Sequence, residues 1–175
     1  VERCNEILKR LTLNPVEEDQ FIDKDINIRD YLHEIISSFK EISKKEFVFN
    51  FDQDSNPKKI SKSIEIVYGL RNFIGNANKF AKNSIFINLK SDTEFTELTV
   101  EDDGNGYPRD IISKIGEPYL KSNYSKNKSK EGLGLGLFIG KTLLEKNFAS
   151  VNCRNSKTRN GAEVVIRWKN KELFN

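Results

Sequence analysis

Asn72, Asn76 and Lys79 are the first residues in the chain whose types and spacing could do chemistry together. At i, i+4 and i+7 they fall on one face of a helix. Ile60, Ile64, Val67, Ile74 and Ala81 mark a separate apolar stripe over the same segment, 61–81. Asparagine is a poor helix-interior residue, because its amide competes for backbone hydrogen bonds. Two of them one turn apart, followed by a lysine, ask for a use. A carboxamide oxygen is a hard ligand suited to Mg2+, and the lysine would meet a phosphate. The alternative is a solvated polar face.

The run TVEDDGNGYP (99–108) is a second group. With the period of two of a strand, Leu98, Val100 and Asp102 point one way, so a carboxylate faces the core. There it needs a hydrogen-bond donor, and the exocyclic amino group of adenine would be one. Gly104 and Gly106 would let the backbone turn sharply against a flat ring. Read differently, Asp and Gly simply make a hairpin turn. In the third group, Gly132, Gly134 and Gly136 alternate with leucines directly before a helical pattern. Backbone amides at such a helix start attract anions. No Gly-Lys-Ser/Thr follows, which excludes a P-loop, and no strand runs straight in, which excludes the dinucleotide fingerprint. The other reading is a flexible loop with a helix start.

The elements that must position these groups follow from periodicity. Residues 28–44 pattern as an amphipathic helix carrying Ile28, Tyr31, Leu32, Ile35, Ile36, Phe39 and Ile42. FVFNFD (47–52) is a strand, and Ser61 or Ser63 caps the helix that runs to about Ala81. SIFINLKS (84–91) and FTELTVED (95–102) make a hairpin. A short helical piece covers about 109–115, a helix runs from the glycines to about Asn147, and strands at 150–155 and 161–168 follow. Irregular alternation with two antiparallel pairs favours a layered α/β sandwich over a doubly wound parallel fold. Residues 121–131, with Lys121, Lys126, Lys128 and Lys130 and few core anchors, read as a mobile loop.

Composition narrows the class. Hydrophobic residues at 37% and charged ones at 31% of 175 residues suit one globular domain with a sizeable core. A net charge of +3 with both signs interspersed argues against a dedicated nucleic-acid binder. No apolar run reaches membrane-spanning length. Cys4 and Cys153 fit neither a metal spacing nor a disulfide framework, which points to a reducing compartment. The opening VERCNEILKRL reads as the end of a helix belonging to a longer protein, with Cys4, Ile7, Leu8 and Leu11 on one stripe. Residues 12–24 read as a linker broken at Asn14-Pro15.

Taken in order, these groups resemble the histidine-kinase branch of the GHKL ATPases. GLRNFIGNANKFA (69–81) is similar to the N box, and DDGNGYP to the first glycine box. IGEPYLK (115–121) resembles the F box, EGLGLGLFIGK (131–141) the second glycine box, and NGAEVVIRW (160–168) the final glycine segment. The resemblance covers residues 25–168 and implies a Bergerat-type two-layer α/β (α+β) sandwich, with a mixed, largely antiparallel sheet on one layer of helices. It divides the chain into the tail of a dimerisation hairpin (1–14), a linker (15–24) and a catalytic ATP-binding domain (25–170) with an ATP lid at 116–131.

The resemblance also implies roles. Asn76 would bind Mg2+ with Asn72 nearby, Lys79 would contact phosphate, and Asn76 and Lys79 would be the catalytic pair. Phe80 would line the nucleotide pocket, Asp102 would hold the adenine amino group, and Gly104 and Gly106 would shape that wall. Gly132, Gly134 and Gly136 would run along the phosphates, with Lys121 as a γ-phosphate contact. Tyr107, Ile115, Tyr119, Leu133, Leu135, Leu137 and Ala162 complete the implied ATP site. Gly75 stands where some relatives carry an acidic base, and Gly116 and Tyr119 stand where phenylalanines are common. Several segments are also similar to the RegB/PrrB-type redox-responsive sensor kinases, in which a redox-active cysteine lies where Cys4 stands; packing in a helical hairpin is the other reading of Cys4.

His33, the only histidine, is followed by Glu34 but lacks the rest of a phosphoacceptor box, so it reads as structural. The expected activity is transfer of the ATP γ-phosphoryl group to a histidine on an upstream dimerisation domain, and from there signalling to a response regulator. The expected setting is the cytoplasmic part of a bacterial inner-membrane kinase that is a homodimer at full length. Rival readings are a gyrase-, Hsp90- or MutL-like ATP clamp, and a nucleotide-binding module without transfer.

Overall fold

The computed structural model describes residues 26–52, 59–60, 63–118 and 135–173. The expectations about Cys4, the linker, Tyr119, Lys121, Gly132, Leu133 and Gly134 lie outside these residues. In chain order the elements are β1 (Ile26–Asn27), α1 (Ile28–Lys40), β2 (Glu46–Phe51), β3 (Lys59–Ile60), α2 (Ile64–Phe80), β4 (Ser84–Ser91) and β5 (Phe95–Asp102). Then come α3 (Arg109–Ile112), α4 (Gly136–Lys146), β6 (Ala149–Asn155), β7 (Ala162–Lys169) and α5 (Asn170–Leu173).

A five-stranded sheet has the order β2-β4-β5-β7-β6, and β1 and β3 form a separate antiparallel pair. Only β2 and β4 run parallel; the hairpins β4–β5 and β6–β7 are antiparallel, as the sequence suggested, and β5 joins β7 antiparallel between them. Helices α1, α2 and α4 pack against β2, β5 and β6 respectively. Alternation assigns the two faces of the sheet. Ile85, Ile87, Leu89, Leu98, Val100, Val164, Ile166 and Trp168 are buried under the helices. The residues between them include Lys90, Glu97, Glu101, Glu163 and Arg167, and the Arg159 and Arg167 guanidiniums lie over the rings of Phe86 and Phe95.

α1 buries Ile28, Tyr31, Leu32, Ile35 and Ile36, and its start is capped by Asn27, whose side chain accepts from the Arg29 amide at 2.9 Å. It stops at Lys40, earlier than the apolar pattern suggested, and Ile42 beyond its end is 79% exposed. α2 buries Ile66, Val67, Leu70, Phe73, Ile74 and Ala77. Ser63 is its N-cap by position but not by a side-chain bond, and Ile64, read as part of the apolar stripe, is 64% exposed.

Candidate functional site

α2 leaves Asn72, Asn76 and Lys79 partly exposed on one side while Phe73, Ile74 and Ala77 face the core. The Asn72 amide nitrogen donates to the Tyr68 carbonyl one turn back, at 2.8 Å. Its oxygen is thereby turned toward α4, 3.5 Å from where a Cβ on Gly136 would sit. Lys79 and Phe80 close the helix, with the Lys79 ammonium 5.2 Å from the centroid of the half-exposed Phe80 ring.

α4 reaches Asn72 because two glycines let the helices touch. A Cβ on Gly69 would lie 2.6 Å from Leu144 Cγ, and one on Gly140 would lie 3.1 Å from Asn72 Cβ and 3.3 Å from the Gly69 carbonyl. A larger residue at Gly69 would overlap Leu144, and one at Gly140 would press on Phe73 and Asn72, so either forces a neighbour to shift. This crossing sets the first turn of α4, at Gly136 and Leu137, beside the asparagine face. Leu135 precedes it with no side-chain cap, and the first turn holds no acidic residue. Uncapped first-turn amides carry the positive end of the helix dipole.

Asp102 ends β5 on the buried face, 2% exposed, as the alternation with Leu98 and Val100 required. Its Oδ1 accepts from the Gly104 amide at 2.8 Å and the Ala162 amide at 3.2 Å. Among the described residues Oδ2 receives no hydrogen bond. Burial raises the Asp102 pKa above its ordinary value, opposed by the two amides and by Lys45 and assisted by the charge of Asp103. The neighbouring backbone comes too close for side chains. A Cβ on Gly161 would lie 1.8 Å from the Asp102 carbonyl, and one on Gly104 would lie 2.4 Å from the Phe80 carbonyl. The second contact ties the end of α2 to the glycine loop.

Asp103 has a different task. It accepts from the amides of Lys82 and Asn83 at 2.7 and 3.0 Å, holding the chain as it leaves α2. Burial would raise its pKa, but donations from the Asn83, Ser84 and Lys82 amides hold it below the ordinary value. The sequence offered no way to tell these adjacent aspartates apart beyond alternation, and alternation chose correctly.

Gly106 takes φ +72° in the loop after β5, and Tyr107 follows with its ring buried. The Tyr107 hydroxyl faces the Cys153 thiol, a weak acceptor, and has no stronger partner among the described residues. Burial pushes the Cys153 thiol up to about 11, against the influence of Tyr107 and Lys141, so it stays protonated at neutral pH. Asn155, which sequence reasoning passed over, binds the Tyr107 backbone through its carboxamide. Ala162 is buried, while Ile115 is partly buried in a short bridge with Glu117. Among the described residues no group of three His, Cys, Asp or Glu could hold a metal. His33 is exposed on α1, its ring edge-on to Phe49 at 4.8 Å between centroids.

Known proteins resemble this chain in sequence and in fold. Residues 61–172 match the family model described as histidine kinase-, DNA gyrase B-, and HSP90-like ATPase. Sensor histidine kinase RegB of Cereibacter sphaeroides is 37% identical over 119 residues, covering 59% of this chain and 26% of RegB. Sensor protein SrrB of Staphylococcus aureus is 28% identical over 100 residues, or 56% of this chain and 17% of SrrB. The chain thus spans about a quarter or less of these relatives' length. Among solved structures, the mycobacterial sensor histidine kinase MprB has a TM-score of 0.68 at 18% identity, covering 83% of this chain and 95% of that one. Full-length ShkA in complex with AMPPNP has a TM-score of 0.67 at 21% identity, covering 82% and 30%. No helix among the described residues is long and apolar enough to cross a membrane. With the family model covering well over half of its length, the chain belongs to the histidine kinase-, DNA gyrase B- and HSP90-like ATPases.

Proposed function

We propose that this chain is the ATP-binding catalytic domain of a two-component sensor histidine kinase, and that it transfers the γ-phosphoryl group of ATP to a histidine on the kinase's own dimerisation domain. The observation that carries the reading is the buried Asp102 carboxylate, with Oδ1 saturated by two amides and Oδ2 without a donor. An acceptor left without a protein donor on a residue otherwise buried suits a donor from a ligand, and the adenine amino group has the right chemistry.

In this reading Asp102 fixes the base, Gly104 and Gly106 bring backbone against its plane, and Phe80, Tyr107, Ile115 and Ala162 form the walls. The triphosphate then runs toward the first turn of α4, where the Gly136 and Leu137 amides and Lys79 offset its charge. The Asn72 oxygen, free to turn toward α4 because its nitrogen is engaged, and the Asn76 oxygen suit Mg2+, which prefers oxygen ligands. When bound, Mg2+ would neutralise charge on the β- and γ-phosphates. The protein's own part is positioning and electrostatics. An imidazole nitrogen of the acceptor attacks the γ-phosphorus, the bond to the β-phosphate oxygen breaks, and ADP leaves. Gly75 precedes Asn76, so α2 offers no carboxylate base there.

The same proposal places the domain on the cytoplasmic side of an inner-membrane kinase that hands the phosphoryl group to a response regulator. Redox control through Cys4 belongs to this wider reading. Cys153 is a poor candidate for it, because burial keeps its thiol protonated.

Calorimetry with ADP and a non-hydrolysable ATP analogue, with and without Mg2+, tests the site. No binding at millimolar nucleotide would end the proposal. Mixing the chain with γ-labelled ATP and a histidine-bearing dimerisation segment tests the transfer. Binding without labelling of the segment would favour a nucleotide-binding module instead.

A further inference from the structure

We infer that Asn155, at the end of edge strand β6, is a positioning residue for the adenine wall and acts by clamping the Gly106–Tyr107 backbone. The inference rests on the reading of the Asp102 wall as the nucleotide site, and adds a residue that no glycine or aspartate pattern reveals.

Between Asp103 and Pro108 the chain belongs to no strand or helix. The Gly104 amide turns back to Asp102, and Tyr107 is held from across the fold. Asn155 Oδ1 accepts from the Tyr107 amide at 2.6 Å, and Asn155 Nδ2 donates to the Tyr107 carbonyl at 3.1 Å. One side chain thus satisfies both backbone groups of one residue, as a neighbouring strand would. A carboxamide donates and accepts from two separate atoms, which spans both groups of one residue; a carboxylate only accepts, and an alkyl group does neither.

The close approach depends on Gly106. At φ +72° a Cβ there would sit 2.7 Å from Asn155 Oδ1, so the clamp fills the space a side chain would need. Asn155 also pairs in register with Ala162, whose amide donates to Asp102 Oδ1. One β6–β7 residue pair therefore supplies the amide that orients the adenine carboxylate and the carboxamide that holds the opposite limb of the loop. Releasing the clamp leaves Asp102 in place and frees the wall beside it.

The test is ADP titration and steady-state phosphotransfer with wild type, Asn155→Ala and Asn155→Asp, alongside thermal melting and amide exchange at Gly106 and Tyr107. Two lost hydrogen bonds predict roughly tenfold weaker ADP binding for Asn155→Ala. The loss should fall on the KM for ATP more than on kcat, with faster exchange at Tyr107. Asn155→Asp keeps the acceptor but sets a carboxylate oxygen against the Tyr107 carbonyl, so it should weaken ADP binding at least as much, and it carries the test if Asn155→Ala does not fold. Gly106→Ala should weaken ADP binding less in the Asn155→Ala background than in wild type, because the side chain it strikes is gone.

ADP affinity within twofold of wild type in a folded variant would overturn the clamp and leave the adenine site standing. Equal cost of Gly106→Ala in both backgrounds would reduce Asn155 to a structural contact and overturn it too. Failure of the wild-type chain to bind any adenine nucleotide would remove the site and the clamp together.

Discussion

Asp102 shows how one residue's function can oppose its contribution to stability. Its pKa is raised by burial, so the folded state favours the protonated form. Its stabilising contribution is therefore complete below the ordinary value of 3.8 and is lost as pH rises through the raised value. An ionised carboxylate in this buried position is a cost held in readiness for a donor. Asp102→Asn should leave the nucleotide-free chain at least as heat-stable as wild type at neutral pH, and flatten this part of the pH dependence. It should weaken ADP binding about tenfold to a hundredfold, the range for losing a hydrogen bond to a charged group. GTP should compete poorly with ATP in wild type; equal competition would show that Asp102 does not read the base. Asn76 belongs to the other end of the ligand. Asn76→Ala should slow phosphotransfer by about a hundredfold or more, since a bound cation is worth several kcal/mol to phosphoryl transfer. ADP affinity should fall far less, and equal losses would point to a folding defect instead.

Among the elements, the crossing of α2 and α4 decides whether the asparagine face meets the helix start. Gly69 and Gly140 let the two backbones approach, and Leu144, fully buried, fills the gap beside them. Gly69→Ala would drive a Cβ to 2.6 Å from Leu144 Cγ. Overpacking of this kind costs about 1–3 kcal/mol, a fall of roughly 2–12 °C in melting temperature for a domain of this size. Because α4 carries the amides at Gly136, the displacement should also weaken ATP-analogue binding more than ADP binding. Thermal melting and calorimetry on the same sample check both. A loss of stability with an unchanged ATP-to-ADP ratio would show that the crossing serves packing alone.

For the molecule as a whole, the sheet lies under one helical layer and exposes a charged opposite face. There Arg159 stacks on Phe86 and lies 3.7 Å from Glu101, and Arg154 pairs with Glu163. Such a face is well solvated and offers little apolar area to a second copy. The sequence before residue 15 has only a short apolar stripe, at Cys4, Ile7, Leu8 and Leu11, and an isolated helix of that length is marginal. This chain should therefore be a monomer, or a weak dimer at most, in dilute solution. Light scattering across a hundredfold concentration range checks this, and a tight dimer at low micromolar concentration would contradict it. Phosphotransfer should accordingly need an added dimerisation segment rather than a second copy of this chain.

What the sequence determined by itself was local and periodic. Alternation placed Asp102 with Leu98 and Val100, helical spacing set Asn72, Asn76 and Lys79 on one face, and two hairpins followed from their turns. Each depends on neighbours within a few residues, where backbone geometry alone dictates direction. Periodicity failed at the element ends: Ile42 and Ile64 fit the apolar pattern but stand exposed. Tertiary structure decided what depends on distant parts meeting. Asp103 became a clamp for the chain after α2, Gly69 and Gly140 proved to be a helix crossing, and Asn155 came to hold Tyr107 from 48 residues away. A carboxamide on an exposed edge strand carries no sequence signal of its own. Its role exists only because the sheet order sets β6 beside β7 and the loop after β5 folds back over that pair, a contact fixed by packing and not by any local preference of the chain.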